Sequence, residues 1–414
     1  MAPTSPAADP LPGPGNTHRV GTCLCLSGGG YRAALFHLGA VRRLNELGVL
    51  GAVRTISSAS GGAIVANLLA DPRLTWPQEK PGTGEPVVVR DFEEYVAEPL
   101  RQLCARNIRT PALASRLLPW HWFTHDSTVR ELADQMAETV SWWATPLRDN
   151  ATDGPGIFTG ATEVGYGVDW TFADPTAVLP HGRIGDFRIG YAEPPADLRI
   201  CDAVATSCAM PPFFAPRRLD GDSIGFTGGQ PGTEPDEDRE QIISSIRLTD
   251  GGVYDDLALA PVWKDHATVL VSDGGSVFRA ETERTWWGRM LRILGIATGG
   301  GSTVRLRWLA DTIAEGDAAG SSWSLDAVAP GGYPRETVRM IDAVRTDLDA
   351  FSQGEQRVLE RHGYFVADAA VRADVPDLVR LDAPLTDPQP EASDPDVATR
   401  ALRDSAGRRL LGRW

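Results

Sequence analysis

The densest run of chemistry-bearing residues in this 414-residue chain is Ser58-Ala59-Ser60-Gly61-Gly62. One apolar run stops just before it and another starts just after it, so Ser60 falls on a turn from strand to helix. A serine on such a turn is lifted clear of the sheet with its hydroxyl toward a substrate, provided its neighbours are small. The pattern departs from G-x-S-x-G in carrying Ser58 at the first glycine position. The same residues also suit a plain turn that lets a helix pack closely against a sheet.

Upstream lies Ser27-Gly28-Gly29-Gly30-Tyr31-Arg32. Consecutive glycines at a helix N-terminus expose backbone N–H groups in a positive local field, which binds anions. One candidate anion is a tetrahedral oxyanion, whose stabilisation by donors fixed in advance lowers a barrier by about 3 to 4 kcal/mol. Phosphate is the other. Gly28, Gly30 and Ala33 also satisfy G-x-G-x-x-A, a dinucleotide-binding pattern. That pattern expects an acid at the end of the second strand, yet no Asp or Glu occurs between Glu46 and Asp71, and no Gly-Lys-Ser/Thr follows the glycines to make a P-loop.

Two acids close later apolar runs in the same local form, Asp250-Gly251-Gly252 and Asp273-Gly274-Gly275. Glycines after an acid let its carboxylate approach a neighbouring element closely, and burial there raises its pKa above an ordinary value near 3.9. A histidine base would have to come from His37, His266 or His362. None stands in a catalytic context, and packing or surface roles are expected for them. Arg32 is placed to brace the glycine loop or to attract a lipid phosphate, with bracing expected.

These residues need a frame. The pattern predicts a strand over 20–26, a helix over 32–47, a strand over 53–57 and a helix over 63–70, a succession that implies a parallel sheet. From about 71 to 150, Pro-rich loops, Trp residues and short helical stretches such as 128–139 predict a helical insertion. Strands are expected at 156–162, 183–191, 242–248 and 268–272, with a helix over 198–208 that must stop at Pro211-Pro212. The Gly, Pro and acid-rich stretch 225–240 reads as a mobile loop, and the C-terminal third as mainly helical, with a helix near 348–362.

Composition bounds the function. A 42 % hydrophobic and 23 % charged chain is globular, and no window reaches the roughly eighteen uncharged apolar residues that a spanning helix requires. Residues 1–18 read as a disordered tail and 386–414 as a poorly ordered one. Five cysteines, an odd number with Cys23 and Cys25 alternating in an apolar run, fit a reduced cytoplasmic setting better than a disulfide framework. A formal charge of −15 disfavours nucleic acid and makes any membrane contact local. The stretch from Arg284 to Leu294, with Trp286 and Trp287, has a composition that suits either an amphipathic helix packed against the core or a helix docking on a membrane surface.

Taken together, Gly-Gly-Gly-x-Arg after the first strand, an elbow serine after the second and Asp-Gly-Gly after a later one resemble the patatin-like phospholipases. The resemblance covers about residues 21–70 and 156–276, with an echo at 344–368. It implies a three-layer α/β fold with a mostly parallel sheet in one catalytic domain over 19–385. It further implies hydrolysis of lipid acyl esters by a Ser-Asp dyad, with no histidine, metal or cofactor. Carried over by residue, Ser60 is the nucleophile and Asp250 the base. Gly28, Gly29 and Gly30 form the oxyanion hole, with Arg32, Gly62, Gly251 and Gly252 in support. Chain order favours Asp250 over Asp273. Two further similar stretches, 156–163 and 205–214, carry no catalytic residue. The family's asparagine before Pro261 is missing, with Asp255 and Asp256 nearby instead. A competing expectation is a non-catalytic lipid-binding or regulatory module that keeps the pocket without turnover.

Overall fold

The computed structural model describes residues 19–77, 87–115, 126–177, 183–230, 232–275 and 286–406. The expected tail at 1–18 lies outside them, as do Arg284, Thr285 and residues 407–414.

One mixed sheet organises the chain. Its strands are β1 (Thr22–Leu26), β2 (Val53–Ala59), β3 (Gly156–Glu163), β4 (Val168–Ala173), β5 (Ile184–Asp186), β6 (Gly190–Ala192), β7 (Arg217–Leu219), β8 (Thr227–Gly228), β9 (Ile246–Asp250), β10 (Thr268–Asp273) and β11 (Ala319–Ser324). The order is β11-β10-β1-β2-β3-β4-β5-β6-β8, with β9 also on β3 and β7 on β9. The five strands from β11 to β3 are parallel. The remaining pairings are antiparallel.

The helices are α1 (Gly30–Glu46), α2 (Gly61–Leu69), α3 (Glu98–Cys104), α4 (Arg109–Ala114), α5 (Ser127–Thr139), α6 (Ile200–Ser207), α7 (Gly221–Ile224), α8 (Asp236–Ser244), α9 (Gly252–Asp255), α10 (Trp286–Ala314), α11 (Arg335–Asp342), α12 (Gln353–Asp374) and α13 (Pro395–Ala406). Strand alternation makes the layers. Leu24 and Leu26 of β1 join the main core with residues of α1, α2 and α12. Cys23 and Cys25 face the other way, into a smaller core with Val269, Val271, Leu257, Leu259 and Leu309 of α10. The sheet is thus sandwiched between two helical layers, and all five cysteines are buried and free.

Several expected boundaries move. The strand expected over 183–191 is a hairpin, because Asp186 Oδ1 accepts the N–H groups of Arg188 and Ile189 at 2.7 Å and turns the chain. The stretch 225–240 is partly structured: β8 falls inside it and α8 begins at Asp236, where Asp236, Glu237 and Asp238 suit the positive helix end. That helix takes 242–244 from the strand expected over 242–248, which starts at Ile246 instead. α12 begins at Gln353 rather than near 348 because Ser352 and Glu355 form a reciprocal cap. The tail expected over 386–414 is folded as far as Ala406. Tyr333 donates to Ala392 O at 2.6 Å, and Ala398 and Leu402 are buried in the main core. β4 and β11 were not expected; β11 is small and polar apart from Trp323, so it lacks an apolar alternation.

Candidate active site

The elbow serine, the glycine loop and Asp250 gather at the C-terminal end of β2. Ser60 follows that strand with φ 48° and ψ −117°, a backbone conformation that costs a side chain about 1 to 3 kcal/mol. Its amide donates to Ser207 Oγ at 2.8 Å, and Ser207 Oγ donates to Gly160 O of β3 at 2.6 Å. The next two residues must be glycine for want of space. A Cβ on Gly61 would lie 2.2 Å from Gly30 O, and one on Gly62 would lie 2.1 Å from Leu26 O. Gly62 also donates to Ser27 O at 3.0 Å, which clamps α2 to the glycine loop. Ser58 is tolerated in place of glycine because its buried hydroxyl donates to Phe158 O at 2.9 Å.

Asp250 reaches Ser60 by way of β3. Two strands share one edge of β3: Ala59 of β2 pairs with Gly160, and Asp250 of β9 pairs with the next residue, Ala161. β2 runs parallel to β3 and β9 antiparallel, so their C-terminal ends meet head to head. The Asp250 carboxylate lies close enough to the Ser60 side chain for that hydroxyl to lower its pKa. It also accepts the Gly252 N–H at 2.8 Å. Burial pushes its pKa up to about 7, against the opposing pull of the Gly252 N–H and the Ser60 side chain. Gly251 passes so close to β3 that a Cβ on it would lie 2.6 Å from Gly160 O.

Sequence reasoning missed the residues that hold the two together. The end of α6 carries Ser207 O, which accepts from Gly251 N, and Ala209 O, which accepts from Asp250 N, each at 3.3 Å. Thr162 of β3 donates its hydroxyl to Asp250 O at 2.8 Å. Ser207 and Thr162 lie in the two stretches, 205–214 and 156–163, to which no catalytic residue was assigned. The available signal was a small hydroxyl residue at the end of each element.

The glycine loop departs from expectation at one position. The Gly28 N–H donates to Asp256 O at 2.9 Å, so it is not available to an oxyanion. The amides of Gly29 and Gly30 meet no protein acceptor among the described residues. They stand at the start of the 17-residue α1, whose first turn holds no acid to neutralise its positive end. Gly29 at φ 126° and Gly30 at φ 59° use backbone that other residues rarely adopt. Arg32 is buried, and it donates to Asp342 O, Val344 O and Gly274 O at 2.9 to 3.2 Å. Its guanidinium is thus committed to main-chain oxygens of the segments around the loop.

Other candidates are placed elsewhere. Asp273 ends β10 on the far side of β1, where it engages Ser27 and accepts the Gly275 N–H at 2.9 Å. The nitrogens of His37 meet Ser272 Oγ and Ser27 O, those of His266 meet Val262 O and Thr55 Oγ1, and His362 Nε2 meets Leu325 O. Burial lowers the pKa of His37 and of His362 to about 4. A cavity of about 400 Å³ lined by Val53, Gly156 and Trp76 lies at the opposite, N-terminal ends of β2 and β3. Among the described residues, no group of three or more His, Cys, Asp or Glu could hold a metal ion. No helix there is long and apolar enough to cross a membrane. α10 begins at Trp286, which is 60 % exposed; the side chain of Trp287 lies outside the described residues.

A family model, patatin-like phospholipase, matches residues 24–263. Two solved structures are similar to the chain, each at 12 % identity: human GIVD cytosolic phospholipase A2, with 94 % of this chain and 63 % of that one covered and a TM-score of 0.45, and VipD from Legionella pneumophila, with 84 % and 66 % covered and a TM-score of 0.34. The chain therefore spans slightly less than two thirds of either. No curated protein matches it.

Proposed function

The chain belongs to the patatin-like phospholipase family, and from that premise we propose that it hydrolyses carboxylic ester bonds of lipids through Ser60 and Asp250. The observation that carries this reading is the approach of those two side chains where β2 and β9 end against adjacent residues of β3. Asp250 takes the Ser60 proton as Oγ attacks the ester carbonyl, and the amides of Gly29 and Gly30 receive the developing oxyanion. Collapse of that intermediate breaks the carbon–oxygen ester bond. The leaving alcohol takes the proton from Asp250, and the acyl group stays on Ser60. Water, deprotonated by Asp250, then attacks the acyl-enzyme, releases the fatty acid and restores the Ser60 hydroxyl.

An aspartate suits this role only because burial lifts its pKa toward neutrality, which makes the carboxylate basic enough to share a serine proton. Ser207, Thr162, Gly251 and Gly252 position it. We assign the catalytic unit to residues 19–406, since α13 is built into the main core.

A lipid substrate calls for peripheral contact with a membrane, and α10 suits it. Trp286, Met290, Ile293, Ile296, Val304 and Trp308 are exposed along it, within about 120° of arc at 100° per residue. From Trp286 to Ala310 the sequence holds four arginines and no acid, in a chain of net charge −15. An anionic lipid surface matches both features. The five free cysteines fit a cytoplasmic location.

The test is turnover of a soluble short-chain ester and of mixed phospholipids by wild type, Ser60→Ala, Asp250→Asn and Asp273→Asn. Loss at the first two with survival at the third supports the assignment. Full activity in Asp250→Asn would reject it. A fluorophosphonate probe should label Ser60; an unlabelled, folded protein would mark a lipid-binding module without turnover. Replacing Trp286 and Trp308 by alanine should weaken binding to anionic liposomes and leave short-chain ester hydrolysis intact.

A further inference from the structure

Four aspartates crowd the same end of the sheet, and three of them have hydrogen-bond donors. Asp250 has the Gly252 N–H, Asp273 has the Gly275 N–H, and Asp255 has the Ala260 N–H at 2.6 Å with Arg305 alongside. The carboxylate of Asp256 accepts no hydrogen bond among the described residues.

Its position is nonetheless central. A Cβ on Gly28 would lie 2.2 Å from Asp256 Oδ1 and 3.2 Å from Ser60 Cβ. One on Gly252 would lie 2.5 Å from Asp256 Oδ1 and 3.1 Å from Asp250 Oδ1. Asp256 Oδ2 packs in the same way on Gly275, 2.8 Å from the Cβ position there. The carboxyl group therefore fills the space between the glycine loop, the elbow serine and Asp250, and only glycines make room for it. Its own main-chain oxygen holds the Gly28 amide.

We infer that Asp256 is a second functional carboxyl of this site, required in its neutral, protonated form beside Ser60 and Asp250. The inference rests on the dyad proposed above. Asp256 is half-buried, and an ionised carboxylate here, with no hydrogen-bond donor among the described residues, would repel both the Asp250 carboxylate and an oxyanion forming on the glycine loop. A neutral carboxyl removes both repulsions and offers an O–H in their place. The charged groups that face it are Asp250 from β9, Asp255 from α9, Asp273 from β10 and Arg32 from α1, three acids against one base. Burial first, then those three acids, push the Asp256 pKa up to about 8, with Arg32 opposing. Turnover then needs Asp250 ionised and Asp256 protonated, so activity is confined to a window of pH.

The test is kcat/KM on a soluble short-chain ester from pH 5 to 10 for the full-length wild type, Asp256→Asn, Asp256→Ser and Asp250→Asn, with folding followed by circular dichroism. Wild type should rise as Asp250 ionises and then fall about tenfold per pH unit once Asp256 ionises. Both neutral variants should keep the rise and lose the fall, which leaves them roughly 100-fold above wild type at pH 10. Fluorophosphonate labelling of wild-type Ser60 should slow over the same alkaline range, a readout that needs no variant to fold. The inference is overturned if the fall persists in the neutral variants, if wild type shows no fall, or if both variants fold but stay inactive at every pH. Asp250→Asn with wild-type turnover would instead reject the dyad, whatever happens at position 256.

Discussion

Ser207 ties the backbone of Ser60 to the neighbouring strand: its Oγ accepts the Ser60 amide hydrogen at 2.8 Å and donates its own to Gly160 O at 2.6 Å. A residue 147 positions away thereby holds the elbow in its unfavourable φ and ψ. The same residue's carbonyl accepts from Gly251, so one side of α6 fixes both halves of the proposed dyad.

Replacing Ser207 by alanine should therefore strand the buried Ser60 amide, at a cost of about 1 to 3 kcal/mol. With Ser60 free to relax, kcat on a short-chain ester should drop about tenfold to a hundredfold while KM changes little. Steady-state kinetics beside a thermal melt check this. An unchanged kcat with a lowered melting temperature would assign Ser207 to folding alone.

Asp250 carries an opposite prediction for stability. Its folded pKa is raised to about 7 from an ordinary value near 3.8, so the folded chain holds a proton that the unfolded chain releases. The contribution of this group is thus unpenalised below pH 4, falls as pH rises from about 4 to 7, and stays low above that. Asp250→Asn should abolish turnover yet stabilise the protein at pH 8, by on the order of 3 kcal/mol, with little effect near pH 3.5. Denaturant melts at the two pH values decide it.

Arg32 is tested by separating bracing from lipid recognition. Arg32→Met removes buried donors from Asp342 O, Val344 O and Gly274 O, and should cost about 2 to 4 kcal/mol of stability. Any loss of activity should be equal on an uncharged ester and on a phospholipid. A loss confined to phospholipid would mean that the guanidinium meets the headgroup.

The C-terminal segment yields a truncation test. Ending the chain after residue 385 removes α13 and with it the buried Ala398 and Leu402, and leaves the Tyr333 hydroxyl without Ala392 O. About 3 kcal/mol should be lost in urea unfolding. Unchanged stability would return these residues to the status of a tail.

Much of the frame was legible because its signals are local. The glycine run, the serine between two apolar runs and the alternation of Cys23, Leu24, Cys25 and Leu26 each show in a few adjacent residues, and β1, α1, β2 and α2 follow from them. The hairpin at 184–192 and the start of α12 were misjudged because a single side chain, Asp186 or Ser352, sets each one, and periodicity does not register a single cap.

The sequence by itself determined which residue types could do chemistry and which turns would carry them, since turn geometry is settled by steric limits on neighbouring residues. Only the tertiary structure decided how they combine. Asp250 rather than Asp273 meets Ser60 because β2 and β9 share an edge of β3, and Gly28 drops out as a free donor because Asp256 O takes its amide. Those outcomes depend on strand register and on hydrogen bonds between residues roughly 90 to 230 positions apart, and no local pattern of side chains encodes such pairings.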